Sequence, residues 1–238
     1  DLASQLAVRL SDRHFGIGGD GIILIEKGQN ADFEMVMYNA DGSRGAMCGN
    51  GIRCVAKYVY DHKLTDKTTV TIASMGAVKT IDIQVQDGVA VGASVDMGAP
   101  ILDPAVIPVV TDCKPPVDVP ITVHDTVYKM TCVSMGNPHA VVFIDRSPRE
   151  FPLEQVGPLF EHHPCFPDRT NTEFAFVQDR QNIEMRVWER GSGETLACGT
   201  GACATAVAAI LGGYVDHRVT VHLLGGDLQI SWSGKAED

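Results

Sequence analysis

Apolar and polar residues alternate from Phe33 to Tyr38 and again from Ile183 to Trp188, the period of a strand with one buried face. Each run leads into a Gly-rich loop, then Cys-Gly-x-Gly, then a helical period. In the first helix Ile52, Val55, Ala56 and Val59 fall on one face, and Lys63 near its end suits the negative pole of the dipole. In the second, Cys203, Ala206, Val207 and Ile210 share a face, and Gly212-Gly213 supplies a stop. Strand-rich segments follow both helices, over Val70 to Met97 and Arg218 to Trp232.

The resemblance between the halves extends to single residues. Phe33 to Asn39 reads onto Ile183 to Glu189 without a gap, and at the same offset Cys48-Gly49-Asn50-Gly51 reads onto Cys198-Gly199-Thr200-Gly201. One residue less lays Val70-Thr71-Ile72 and Gly76 over Val219-Thr220-Val221 and Gly225. Duplication of one unit explains all three matches. The pattern predicts an α+β protein of two pseudo-symmetric domains, each a mostly antiparallel sheet wrapped around a central helix, with the active site in the cleft between them.

The join is expected where Met97-Gly98-Ala99-Pro100 gives way to the Pro-dotted stretch from Pro104 to Pro120, because proline breaks both helix and ladder. That division makes residues 1–99 one domain and 100–238 the other. Asn137-Pro138-His139 has no counterpart in the first copy, and Val89 to Met97 has none in the second. The repeat therefore predicts that the natural chain continues beyond both ends given.

Composition narrows the class. Of the 238 residues 45% are apolar and 21% charged, as in a folded domain rather than a disordered one. The net charge of -11, with no Lys/Arg-rich run, repels a polyphosphate backbone and argues against nucleic-acid binding. No apolar stretch approaches the roughly 20 residues that cross a bilayer, so no membrane partner is expected. Seven cysteines, odd in number and dispersed, predict reduced thiols and a cytoplasmic setting. There is no Cys-x-x-Cys, and His162-His163-Pro164-Cys165 lacks zinc-site spacing, so no metal is expected.

The chemistry concentrates at the two Cys-Gly-x-Gly segments. A cysteine at a helix start sits beside unpaired N–H groups and the positive dipole end, which predicts a lowered pKa and a usable base. The glycines let backbone come close to a ligand, and the same N–H groups can hold a carboxylate or a developing oxyanion. Cys48 and Cys198 on opposite faces of one carbon would suit inversion beside a carboxylate, one thiolate taking the α-proton and the other thiol returning one. A disulfide between them is the structural alternative and demands the same proximity. Cys54 and Cys203, on the helices, are expected to be packing residues.

Five segments now carry a specific resemblance. They are Asp12 to Gly21, Tyr38 to Ser43, Cys48 to Cys54, Met135 to Val141, and Trp188 to Thr195 running on to Ala197 to Gly201. At these residues the chain resembles the diaminopimelate epimerase family, in the family's own order and over nearly the whole length. The resemblance implies interconversion of LL- and meso-diaminopimelate without pyridoxal phosphate or metal, on the way to lysine and peptidoglycan, with Cys48 and Cys198 as the two bases. It also implies that Asn39, Gly49, Asn50, Asn137, Asn171, Glu189, Arg190, Gly199 and Thr200 contact substrate or frame its cradle, and that His139 and Glu189 assist the thiols. The family normally opens with a strand and a Gly-Asn-Asp-Phe motif, and the given chain starts after it.

Three rival readings stand beside this one. A proline racemase or hydroxyproline epimerase also pairs thiols, but Arg190 and the Asn-rich loops favour a substrate with a second charged end. A non-catalytic amino-acid-binding module would not need both thiols. A thiol–disulfide oxidoreductase is disfavoured by the absence of Cys-x-x-Cys. The expected partner is a small molecule, and a homodimer is carried as an open expectation.

Overall fold

The computed structural model describes residues 1–45, 48–235 and 237, so the expected end of the second domain, Asp238, falls outside the described residues. The chain divides into two compact units, Asp1–Met97 and Gly98–Asp238. The sequence reading placed the join two residues later, with the Pro-dotted stretch just after it. In fact Ile107 and Val109 of that stretch are buried in the core of the second unit, alongside Val119 and Ile121. The prolines interrupt regular structure there, but the segment is packed as part of its unit.

The first unit holds α1 (Leu2–Ser11), β1 (Gly21–Lys27), β2 (Phe33–Asn39), α2 (Gly49–Asp61), β3 (Thr69–Ser74), β4 (Ala77–Gln86) and β5 (Val89–Val95). The strands form one sheet in the order β1-β2-β3-β4-β5, with β2 and β3 parallel and the other pairs antiparallel. Strand alternation distributes β2 over two cores. Met35 joins Ile52, Val55, Ala56 and Val59 of α2 with Val70, Ile72 and Ile81, whereas Val36 and Tyr38 pack with Ala7 of α1. Helix α1 was not anticipated from the pattern. Its N-cap is Asp1, whose side chain accepts from the Ala3 N–H, and the Tyr38 hydroxyl also donates to Asp1 at 2.6 Å.

One expected helix signal fails. Lys63 lies beyond the end of α2, in a left-handed conformation (φ 59°), with its ammonium 5.2 Å from the centre of the Tyr60 ring. The charge therefore acts on an aromatic face rather than in the last helical turn.

The second unit holds β6 (Val119–Val123), β7 (Thr126–Ser134), β8 (Pro138–Phe143), α3 (Leu153–Glu161), β9 (Asn171–Asp179), β10 (Asn182–Glu189), β11 (Gly193–Thr195), α4 (Gly199–Leu211), β12 (Arg218–Leu223) and β13 (Gly226–Ser231). Its sheet runs β13-β12-β10-β9-β8-β7-β6, with β11 added against β10. Strands β8 and β9 are parallel, as are β10 and β12. Both sheet faces are covered. Val133, Val141, Ala175, Ile183, Met185 and Val187 pack towards α4, while Cys132, Ala140, Val142 and Phe174 pack with Leu153 and Phe160 of α3. Strands covered on both faces lose the alternation of an exposed sheet, which is why Pro138 to Val142 is buried without a break. Helix α4 is enclosed on nearly every side for the same reason, with Ala202 to Ala209 all buried.

The duplication is visible in the strand register. Phe33 pairs with Ile72 in the first unit, and Ile183, its equivalent in the repeat, pairs with Val221, the equivalent of Ile72. Each repeat is thus a strand, a crossing helix and a parallel strand beside the first.

Candidate active site

Both Cys-Gly-x-Gly segments deliver their cysteine to the same backbone position. Cys48 is the N-cap of α2 (φ -119°, ψ 108°) and Cys198 the N-cap of α4 (φ -127°, ψ 110°), each extended just before the helix begins. Cys48 Sγ accepts the Gly51 N–H at 3.3 Å, in the manner of a capping oxygen. Cys198 Sγ lies 3.5 Å from Thr200 Oγ1 and is buried. No disulfide joins Cys48 and Cys198.

The last glycine of each motif makes room for something different. A Cβ on Gly51 would approach the flexible tip of Ile23 at 2.9 Å. One on Gly201 would stand 2.7 Å from Glu173 Oε1 and 3.3 Å from Cys198 Sγ. The first turn of α4 therefore rests directly on a carboxyl group.

Burial overturns the expected electrostatics of Cys198. Burial pushes the thiol's pKa strongly upward, Glu189 and Glu173 add to the rise, and the Thr200 hydroxyl and Gly201 N–H only partly oppose it. The helix terminus is present, but desolvation and two neighbouring carboxyls outweigh it, so Cys198 is held as a thiol.

The other expected site residues of the second unit lie on or beside β8, β9, β10 and the start of α4. Glu189, near the end of β10, accepts a very short hydrogen bond from the Thr195 hydroxyl. Arg190 follows it in the turn, exposed, with Nη1 donating to the Asp168 carbonyl at 2.9 Å. Asn171, buried at the start of β9, accepts the Arg190 main-chain N–H at 2.7 Å through Oδ1. On β8, His139 is fully buried between Glu173 Oε1, 2.7 Å from Nδ1, and Asn137 Oδ1, 3.0 Å from Nε2. The resemblance assigned His139 to the thiols; in the structure both its ring nitrogens are engaged by side chains of its own unit. Asn171 and His139 are neighbours across the parallel β8–β9 ladder. Gly199 and Thr200 occupy the first positions of α4.

In the first unit Asn50 Oδ1 accepts from Arg53 Nη2 at 2.6 Å, and the Gly49 carbonyl accepts from Arg53 Nε at 3.3 Å. Asn39, exposed at the end of β2, donates from its side chain to Ser43 Oγ at 3.0 Å. Cys203 is buried, but Cys54 is exposed, contrary to the packing role expected for it, because its position on α2 turns away from the sheet.

Two residues of the site were not read from the sequence. Glu161, buried at the end of α3, accepts from Trp188 Nε1 at 2.8 Å, from the Gly191 N–H at 2.9 Å and from Arg169 Nη1 at 3.2 Å. It clamps the turn that carries Glu189 and Arg190. Glu173, fully buried on β9, supports both His139 and α4. A glutamate inside the buried run Thr172 to Ala175 was the available signal, since an isolated charge is seldom enclosed without a task. Among the described residues no group of three or more His, Cys, Asp or Glu side chains could hold a metal ion, and no helix is long and apolar enough to cross a membrane.

Comparison with known proteins gives this arrangement its context. The family model described as diaminopimelate epimerase matches residues 1–102 and 131–238. A diaminopimelate epimerase of Methanococcus maripaludis (strain S2) is 53% identical over 97% of this chain and 83% of its own length. That of Acetivibrio thermocellus is 52% identical over 97% and 82%. Among solved structures, a probable proline racemase from Agrobacterium radiobacter K84 superposes with a TM-score of 0.72 at 16% identity, covering 98% of this chain and 75% of that one. A hydroxyproline epimerase from Agrobacterium vitis, with bound trans-4-hydroxy-L-proline, gives 0.69 at 16%, covering 97% and 70%. The two solved structures share the fold, while the family match and the identity of the sequence relatives carry further: this chain belongs to the diaminopimelate epimerase family.

Proposed function

We propose that the protein interconverts LL- and meso-diaminopimelate by moving an α-proton between Cys48 and Cys198. The observation that carries this reading is the matched placement of the two cysteines, each capping a helix from the same motif with nearly the same backbone angles. One thiolate takes the α-proton, breaking C–H and forming S–H. The electron pair delocalises into the adjacent carboxylate, whose developing charge suits the unpaired N–H groups of a helix start. The opposite thiol then gives its proton to the other face of the carbon and is left as thiolate, so the next turnover runs the pair backwards.

The environment of Cys198 supports a division of labour at rest. Burial beside Glu189 and Glu173 favours its protonated form, which suits Cys198 to the role of proton donor. Arg190 and Asn137 suit the distal ammonium–carboxylate end, a guanidinium binding a carboxylate in two-pronged fashion. Glu189 supplies charge of the sign that an ammonium needs. This role implies a place in lysine and peptidoglycan precursor synthesis, and a reducing, cytoplasmic setting in which free thiols persist. A proline-type substrate is the competing reading within the same fold, and its lack of a second charged end leaves Arg190 without a task.

Incubation with LL-diaminopimelate in deuterated water tests the reaction. Appearance of the meso form carrying deuterium at the inverted centre is expected. Absence of inversion, or faster turnover of proline, would remove the assignment.

A further inference from the structure

The Glu173 carboxyl lies in a setting that the two-thiol reaction does not require. Its side chain and that of His139 are both 0% exposed, with Oε1 and Nδ1 2.7 Å apart. Oε2 has no hydrogen-bond partner among the described residues. The same Oε1 occupies the space that any side chain on Gly201 would claim. Facing this carboxyl are His139 from β8, Glu189 from β10, Cys198 from the start of α4 and Cys132 from β7. Beyond the imidazole stands Asn137, whose Oδ1 lies 3.0 Å from Nε2.

We propose that Glu173 is a positioning residue which, through His139, holds the Asn137 carboxamide with its oxygen turned inward and its N–H groups presented to a substrate carboxylate. The proton count follows from the contacts. An amide oxygen accepts, so Nε2 carries a proton. The contact between Nδ1 and Oε1 then holds one further proton, either on Glu173 or on the imidazole, and the pair is neutral overall in both cases. Burial raises the carboxyl's pKa and His139 opposes that rise, as expected of two groups sharing one proton. Without Glu173 the imidazole is free to adopt the tautomer protonated at Nδ1. Its bare Nε2 would then accept from the Asn137 amide nitrogen and turn the oxygen outward, where it repels a carboxylate.

This inference rests on the epimerase reading for the identity of the substrate, but not for the hydrogen-bond chain. Nitrogen-15 NMR of the His139 ring in the wild-type protein without substrate tests the chain directly. The expected result is a ring protonated at Nε2, the nitrogen that faces the Asn137 oxygen. A ring protonated at Nδ1 alone overturns the proposal. Steady-state kinetics on diaminopimelate test the consequence. Glu173→Leu is expected to raise KM at least about tenfold, a larger factor than its effect on kcat. Glu173→Gln, whose amide N–H can donate to Nδ1 and keep the same tautomer, should recover most of that loss. A folded Glu173→Leu protein with unchanged KM also overturns the proposal. Because the NMR measurement needs no turnover, failure of the wild-type enzyme to act on diaminopimelate would sink the functional reading and leave the tautomer result standing.

Discussion

Asn171 Oδ1 accepts the main-chain N–H of Arg190 at 2.7 Å, and Glu161 Oε1 accepts the next N–H but one, relative to Glu189, at Gly191. Two buried side chains from different elements thus hold the turn that presents Glu189 and Arg190. A residue implied by the resemblance as a substrate contact is, in the structure, also part of the frame.

The first prediction follows from that frame. Asn171→Ala removes an acceptor from a buried N–H, and the Arg190 turn is expected to lose its set position. The expected fall in kcat/KM for diaminopimelate is at least about tenfold, or roughly 1.4 kcal/mol of transition-state stabilisation. An unimpaired variant in steady-state assays would show that the turn needs no such support.

Glu161 links the same turn to pH. Burial raises its pKa, but bonds from Trp188 and Gly191, with His162 and Arg169 nearby, outweigh burial and leave it lowered. A carboxyl depressed on folding contributes stability above its unfolded value and loses it as pH falls through the folded one. The wild-type protein should therefore lose stability below about pH 4.5, the group's ordinary value, more steeply than Glu161→Gln. Denaturant titrations at a series of acidic pH values measure both slopes, and parallel slopes would contradict the assignment.

Cys48→Ala and Cys198→Ala should each abolish epimerisation while leaving a folded protein, because one face of the carbon then lacks its proton carrier. Loss of the buried Cys198 sulfur should cost no more than about 1 kcal/mol of stability, being a small deletion in the core. Circular dichroism with chiral chromatography of the products checks both parts. Full activity in either variant would end the two-base reading.

The two final motif glycines should differ in tolerance. Gly51→Ala meets the movable tip of Ile23, whereas Gly201→Ala drives a methyl against the Glu173 carboxyl and the Cys198 sulfur together. Overpacking of that kind costs about 1–3 kcal/mol. Gly201→Ala is therefore expected to lower Tm by several degrees and activity by at least about tenfold, and Gly51→Ala to do much less. Equal thermal shifts in the two variants would contradict the asymmetry.

How much of this was legible beforehand can be judged residue by residue. The strand at Phe33, the helices at Cys48 and Cys198, and the repeat relating them were readable because amphipathic period and Gly-rich capping are local properties, carried by residues adjacent in the chain. The resemblance supplied Asn137, His139, Asn171, Glu189 and Arg190 as candidates. Only the fold decided what they do. Whether Cys198 is a thiolate or a thiol depends on a balance between a helix terminus, which the sequence predicts, and burial beside Glu173 and Glu189, which it does not. The partners of His139 come from β9 and from the turn before β8, and Glu161 reaches the turn after β10 from the end of α3. Such contacts join residues that local patterning treats independently. Their electrostatic effect depends on distance and dielectric, both of which exist only once the sheet and its two covering helices have closed around them.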